Sequence, residues 1–232
     1  MTVNHTTRFY VLLNGINDVA YFGFLVLQFL LIEPTLRALL PKAQVSMSSG
    51  LSMTLIASQL VFQVLAEGPT GALADAYGRA RAIAMSFWCR FVAIILIIAC
   101  VIVGLQSNSS GAARSAVAAA LILAQIAMAT GEAFLEGSIE AWLCDECKTA
   151  DPENYIAIIN RTFDWSALIQ NMAILLSITT VLLTWRLAGS SGGIILAVIA
   201  SLLCLAGAVI SPTLSSHEKF AVRNVQQPQQ RF

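Results

Sequence analysis

Charge is what this sequence has least of. Lysine, arginine, aspartate and glutamate make up 11% of its 232 residues, where a soluble domain carries about 25%. Thirteen basic residues balance thirteen acidic ones, which leaves no basic face for nucleic acid and no acidic tail for a cationic partner. Histidine is scarcer still: His5 and His217 are the only two, both in polar terminal segments without a ligand or base partner beside them. The five cysteines fall mostly inside apolar runs, where cysteine behaves as a small hydrophobe, and they build no disulfide framework. Cys144 and Cys147 have the spacing of half a zinc site but lack the second pair that a tetrahedral site needs. Gly189 to Gly193 is not followed by Lys-Ser/Thr, so it is no nucleotide loop. No nucleophile, base and orienting acid meet in a polar segment, so neither an enzyme nor a cofactor or metal is expected. Met1 to Thr7 has no basic stretch and no small-residue cleavage site, so the first apolar block reads as a retained helix rather than a signal peptide.

What fills the sequence is apolar: 57% of it is hydrophobic, arranged in long blocks with short polar punctuation, as spanning helices are. The expectation is an all-α, polytopic membrane protein, a bundle of about six transmembrane helices over residues 1–212. The first span runs from about Phe9 to Leu31 and ends at Glu33-Pro34. The second runs from about Ser46 to Ala66, ahead of Glu67-Gly68-Pro69-Thr70-Gly71, and the third from about Ala82 to Leu105. The fourth, Ser115 to Leu143, exceeds what a bilayer needs and is expected to tilt or project into water. Asp151 and Pro152 read as cap and first position of a fifth helix reaching Trp185. Arg186 to Gly193 turns the chain into a sixth span ending near Ile210. The segment 213–232 is polar, with Gln226-Gln227-Pro228-Gln229-Gln230, and reads as a disordered tail.

Loop charges give an orientation. Arg8, Arg79, Arg81, Lys148, Lys219, Arg223 and Arg231 fall on one side, against Arg37, Lys42, Arg114 and Arg186 on the other. Both termini are therefore expected in the cytoplasm, of a chain in the cell (plasma or inner) membrane.

Ionisable residues inside the spans break the apolar pattern. One at the centre of a spanning helix costs about 2.5–3.5 kcal/mol on insertion scales, so such residues face protein or a wet cavity. Asp18 lies in the first span, Glu132 and Glu136 in the fourth, Arg161 and Asp164 in the fifth. At 100° per residue, Asn14, Asn17, Asp18, Tyr21 and Gln28 form one stripe of the first helix. Gln125, Glu132, Glu136 and Glu140 recur at intervals of seven and four and stack along one face of the fourth. Ser52, Gln59 and Gln63 share a face of the second, and Asn160, Asp164 and Asn171 one of the fifth. The amides, and Arg161 with Asp164 one turn apart, are equally well read as glue between helices. A carboxylate face without a base in its own helix points instead to a solute or proton pathway through Asn14, Asp18, Gln59, Gln63, Glu132, Glu136 and Asp164.

Between the second and third spans stands Gly71-Ala-Leu-Ala-Asp75-Ala-Tyr-Gly78-Arg79-Ala-Arg81. It resembles the signature loop of the major facilitator superfamily, Gly-x-Leu-Ala-Asp-basic-x-Gly-Arg-basic-basic, at the corresponding place between two spans. Gly137-Ser-Ile-Glu140-Ala-Trp-Leu-Cys-Asp145-Glu146 is similar to a Ser-Gly-Ala-x-Glu-Ala-Trp-Leu-x-Asp stretch of some members. The resemblance covers nearly the whole chain and implies the N-terminal six-helix half of a secondary transporter. It implies alternating access with proton-coupled movement of a small solute, helices one and four lining the cavity. It also implies a cytoplasmic gating motif of Gly71, Asp75, Gly78, Arg79, Arg81, Glu140 and Asp145, in which Asp145 or Glu146 pairs with Arg79 or Arg81. Ala76 and Ala80 stand where the family is basic, and the arginine motif of drug/proton antiporters is missing from the fourth span. Family members have two such halves, so the expected partners are the lipid bilayer, a small solute with protons, and a second copy or complementary six-helix half, with no nucleic acid. The alternative is a non-transporting membrane subunit, or a truncated fragment of a twelve-helix transporter.

Overall fold

Long runs of leucine, isoleucine, valine and alanine leave backbone N–H and C=O groups no partner except one another in an apolar medium, and only a helix satisfies them within one segment. The computed structural model describes residues 3–40, 42–105 and 111–211, and among these every long element is helical. They are α1 (Val3–Leu39), α2 (Ser48–Tyr77), α3 (Arg79–Leu105), α4 (Gly111–Leu135), α5 (Ser138–Ala150) and α6 (Tyr155–Ile210), with a short 3-10 turn at Lys42–Met47 before α2. The tail read as disordered lies outside the described residues.

Five of these helical stretches are long and apolar enough to cross a membrane. The last, 56 residues long, leaves helical geometry at Gly189, where φ is 57° and ψ −141°. Ser177 and Val181 before that residue line the same cavity as Leu196 and Ala200 after it, so the chain doubles back there. A side chain at Gly189 would meet nothing within 4 Å; what the position requires is backbone freedom.

Two expected boundaries are not boundaries. Pro34 and Pro69 lie inside α1 and α2. Each removes one N–H from the ladder, and each is followed by a buried threonine whose hydroxyl donates back into it. Thr35 Oγ1 donates to the Leu31 carbonyl at 2.8 Å, and Thr70 Oγ1 to that of Ala66 at 2.8 Å. The carbonyls left without a helix N–H are those of Leu30 and Leu65, four residues before each proline, so these hydroxyls add a second bond to the next carbonyl along, and both helices run on through their prolines. The signature segment is accordingly not a loop: Gly71 to Tyr77 is the last turns of α2, and Gly78, with φ 95° and its N–H on the Ala74 carbonyl, is the whole connection to α3.

The expected long fourth span is two helices, broken at Glu136-Gly137 where Gly137 has φ 76°. The expected cap at Asp151-Pro152 is also displaced. Residues 152–154 form a turn, whose Asn154 N–H donates to Asp151 Oδ1 at 3.2 Å, and α6 starts at Tyr155.

The bundle is joined chiefly through α1 on α6, α3 on α4, α2 on α4 and α3 on α6. Phe24, Leu27, Leu31, Ile83, Phe87, Ile94, Ile97 and Leu121 are fully buried between them. Close approach rests on glycine at three crossings, one of them Gly104 of α3, where an added Cβ would sit 2.7 Å from Thr35 Cγ2 of α1. At Gly207 of α6 an added Cβ would sit 2.7 Å from the Phe87 ring of α3, and at Gly131 of α4 it would sit 2.9 Å from Arg90 Cγ and from the Ser86 carbonyl oxygen.

The exterior is inverted relative to a water-soluble bundle. In α2 the buried residues are Ser48, Ser52, Gln59, Thr70 and Ala74, while Leu60, Val61, Val64 and Leu65 are each about 60% exposed or more. Polar groups inside and aliphatic groups outside is the arrangement that lipid favours.

Candidate functional site

The polar stripe of α1 supplies the first wall. Asn14, Asn17, Asp18 and Tyr21 recur at one-turn spacing and face α6 and α3. Asn14 Nδ2 donates to Ser166 Oγ of α6 at 3.2 Å. Asp18, buried, accepts from Asn17 Nδ2 at 3.3 Å and from Gln170 Nε2 of α6 at 3.4 Å. Ser166 and Gln170 are one turn apart, so a single face of α6 meets this stripe.

Opposite stands a residue that the sequence reading passes over. Arg90, in the middle of α3, is 1% exposed, and its Nη2 lies 2.8 Å from Glu132 Oε2 of α4. Its guanidinium carbon sits 5.7 Å from the centre of the Tyr21 ring and 5.8 Å from that of Phe87, within cation–π range. The missing Cβ at Gly131, beside Glu132, gives the arginine stem its room. The ion pair brings charge to charge without the alignment of a hydrogen bond. All three guanidinium nitrogens and Glu132 Oε1 consequently keep hydrogen-bonding capacity that no described residue uses.

The signal for Arg90 was present in the sequence. It is the single Asp, Glu, Lys or Arg between Arg81 and the end of α3, and the rule that singles out Asp18 and Glu132 applies to it equally. The acidic face therefore does have a base, on the neighbouring helix rather than its own.

The second helix closes the cluster. Gln63 Nε2 donates to Glu136 Oε2 at 2.8 Å. One turn away, Gln59 faces Tyr21 and is buried with neither amide atom hydrogen-bonded among the described residues. Glu132 feels the fields of Arg90, Glu136 and Asp18 together, so one cation stands among three carboxyl groups, of which Asp18 and Glu132 are buried and Glu136 is exposed just past the end of α4. A group desolvated in this way interacts far more strongly than it would in water. Such a cluster can hold protons or a cationic or polar solute, and any change in the charge of one member shifts the balance of the rest. The chain matches no family model, no curated protein and no solved structure.

Not every expected residue joins. Asp164 is exposed, and lies two residues, about 200°, around α6 from Ser166, which faces α1. Glu140 is exposed on α5, past the break at Glu136-Gly137, so of the expected four-residue stripe only Gln125 and Glu132 lie on α4, with Glu136 in the turn that follows it. At the end of the bundle marked by Gly78, Arg79 Nη1 donates to Asp145 Oδ2 of α5. Asp75 and Arg81 are exposed and enter no hydrogen bond or ion pair among the described residues, and Gly71 is exposed on α2.

Proposed function

We propose that this chain is an integral membrane protein of the major-facilitator type, a half-size secondary transporter. It moves a small polar or cationic solute with protons by alternating access, together with a second copy or a complementary six-helix half. In this reading the two arms of α6 around Gly189 are the fifth and sixth spans, and the termini face the cytoplasm of the cell membrane. The signature-like segment Gly71–Arg81 supports the family, and the Arg79–Asp145 pair supplies a contact that can open as the bundle rocks.

The observation that carries the reading is the Arg90–Glu132 pair, closed among Asp18, Tyr21 and Gln59 inside a bundle whose outer surface is aliphatic. Buried charges of this kind add little to stability by themselves, and a well-packed apolar pair of the same volume does as well or better. Their presence in the interior of a spanning bundle points to a pathway.

The test is proton movement in liposomes holding the full chain and an internal pH-sensitive dye, challenged with a panel of amino acids, sugars, carboxylates and organic cations. At least one solute is expected to move protons above the rate of empty liposomes. The double variant Arg90→Gln/Glu132→Gln, which removes both members of the ion pair together, should lose that movement, while Asp164→Asn should keep it. A panel without response, or a double variant that behaves as the parent, contradicts the proposal.

A further inference from the structure

A cleft of about 550 Å³ opens between the start of α1 and the start of α6, and two arginines stand at its mouth. Arg8 comes from α1 and Arg161 from α6. Both are exposed, and neither makes a hydrogen bond or ion pair among the described residues. Asp164, three residues beyond Arg161, does not pair with it. Thr162 is already committed, its hydroxyl donating to the Ile158 carbonyl at 2.7 Å, so the positive charge and most of the donor capacity there belong to the guanidinium groups. Trp165, 55% exposed, stands on the same rim, the place where an indole marks the boundary between lipid and water.

The floor of this cleft does not end at the arginines. Val11 and Ile169 also line a second, wholly apolar groove of about 510 Å³. Val19, Leu176 and Leu203 carry that groove on into a third cavity reaching Phe24 and Leu27. From Val11 to Phe24 the groove climbs about 20 Å along α1 at 1.5 Å per residue, somewhat more than one leaflet of a hydrocarbon core about 30 Å thick.

We propose that the α1–α6 face is a specific site for one anionic phospholipid. Its phosphate is held between Arg8 and Arg161 beside Trp165, and one acyl chain runs up the groove from Val11. Two features together select this occupant: two arginines that pair with no described residue, and an apolar channel leading directly away from them along α1 and α6. A basic pocket between spanning helices is the known physical form of headgroup recognition. The inference rests on the membrane reading, not on transport.

Native mass spectrometry of the full-length chain released from detergent tests it. Phosphatidylglycerol and phosphatidylcholine with identical acyl chains are titrated separately, and phosphatidylglycerol again in the presence of inorganic phosphate. The first phosphatidylglycerol should bind at least about tenfold more tightly than phosphatidylcholine. Arg8→Gln/Arg161→Gln should weaken it about thirtyfold, from about 1 kcal/mol per basic residue at 1.4 kcal/mol per decade. Arg186→Gln should leave it unchanged, and phosphate should not displace it. Equal binding of the two lipids, an unaffected double variant, or displacement by phosphate overturns the site. A chain that stays monodisperse in buffer without detergent overturns instead the membrane reading beneath it.

Discussion

Gly131 of α4 touches Arg90 of α3 so closely that an added Cβ would lie 2.9 Å from Arg90 Cγ and 2.9 Å from the Ser86 carbonyl oxygen. The arginine stem can swing aside, but the carbonyl belongs to the α3 backbone and cannot, so any side chain at 131 pushes α3 and α4 apart. Gly131→Ala is expected to cost about 1–3 kcal/mol, as overpacking does. Gly68→Ala, on a stretch of α2 where a Cβ meets nothing within 4 Å, should instead gain about 0.5–1 kcal/mol of helix preference. Denaturant titration of both variants in detergent, followed by circular dichroism, separates the two outcomes.

The ion pair itself predicts an asymmetry. Removing one partner strands a desolvated charge, so Arg90→Gln alone is expected to cost about 3–5 kcal/mol, whereas Arg90→Met/Glu132→Met should recover most of that loss. A double-mutant cycle in detergent measures the coupling, and two additive single effects would show that the charges do not depend on each other.

Gly189 carries a φ of 57° with ψ −141°, a region that side-chain-bearing residues rarely enter. Gly189→Val is therefore expected to cost about 1–3 kcal/mol through backbone strain alone, because the site has open space for the side chain. An unchanged denaturation midpoint would mean that the reversal within α6 does not need this conformation.

Much of the fold could be read from composition, and the reasons it could not all be read are specific. Apolar runs locate the helices because burial of backbone polar groups leaves no other solution. Pro34 and Pro69 misled as boundaries because proline was read as punctuation, whereas each removes a single N–H and leaves the rest of a long helical ladder intact. Glu140 looked continuous with Glu132 and Glu136 because periodicity does not register a break at one glycine. At the site, Asp18, Gln59, Gln63, Glu132 and Glu136 come together while Asp164 stands outside, since helical spacing defines a face but not which neighbour covers it. Arg90 was visible as a mid-span charge, yet its pairing across helices is a tertiary fact.

The Arg79–Asp145 contact joins side chains that are 30% and 68% exposed, so as a stabilising pair it contributes at most about 1 kcal/mol. Asp145→Asn should accordingly leave the denaturation midpoint almost unchanged. If the pair acts as a latch in transport, the same variant slows proton-coupled uptake, and the swap Arg79→Asp/Asp145→Arg restores part of it. A large loss of stability in Asp145→Asn would instead assign the pair a structural role.

Spin labels placed one at a time along α3 test most directly whether lipid surrounds this bundle. Met85, Trp88, Val92, Ile95 and Ile102 form one exposed face of that helix, and Phe87, Arg90, Ile94, Ile97 and Val101 the buried one. In bilayers, collision with dissolved oxygen should peak at 85, 88, 92, 95 and 102 and fall at 87, 94, 97 and 101, while a water-soluble nickel relaxant reaches neither face. A nickel-accessible stripe at 85, 88, 92 and 95 would place water where lipid is required, and would contradict the membrane bundle and the transport reading that depends on it.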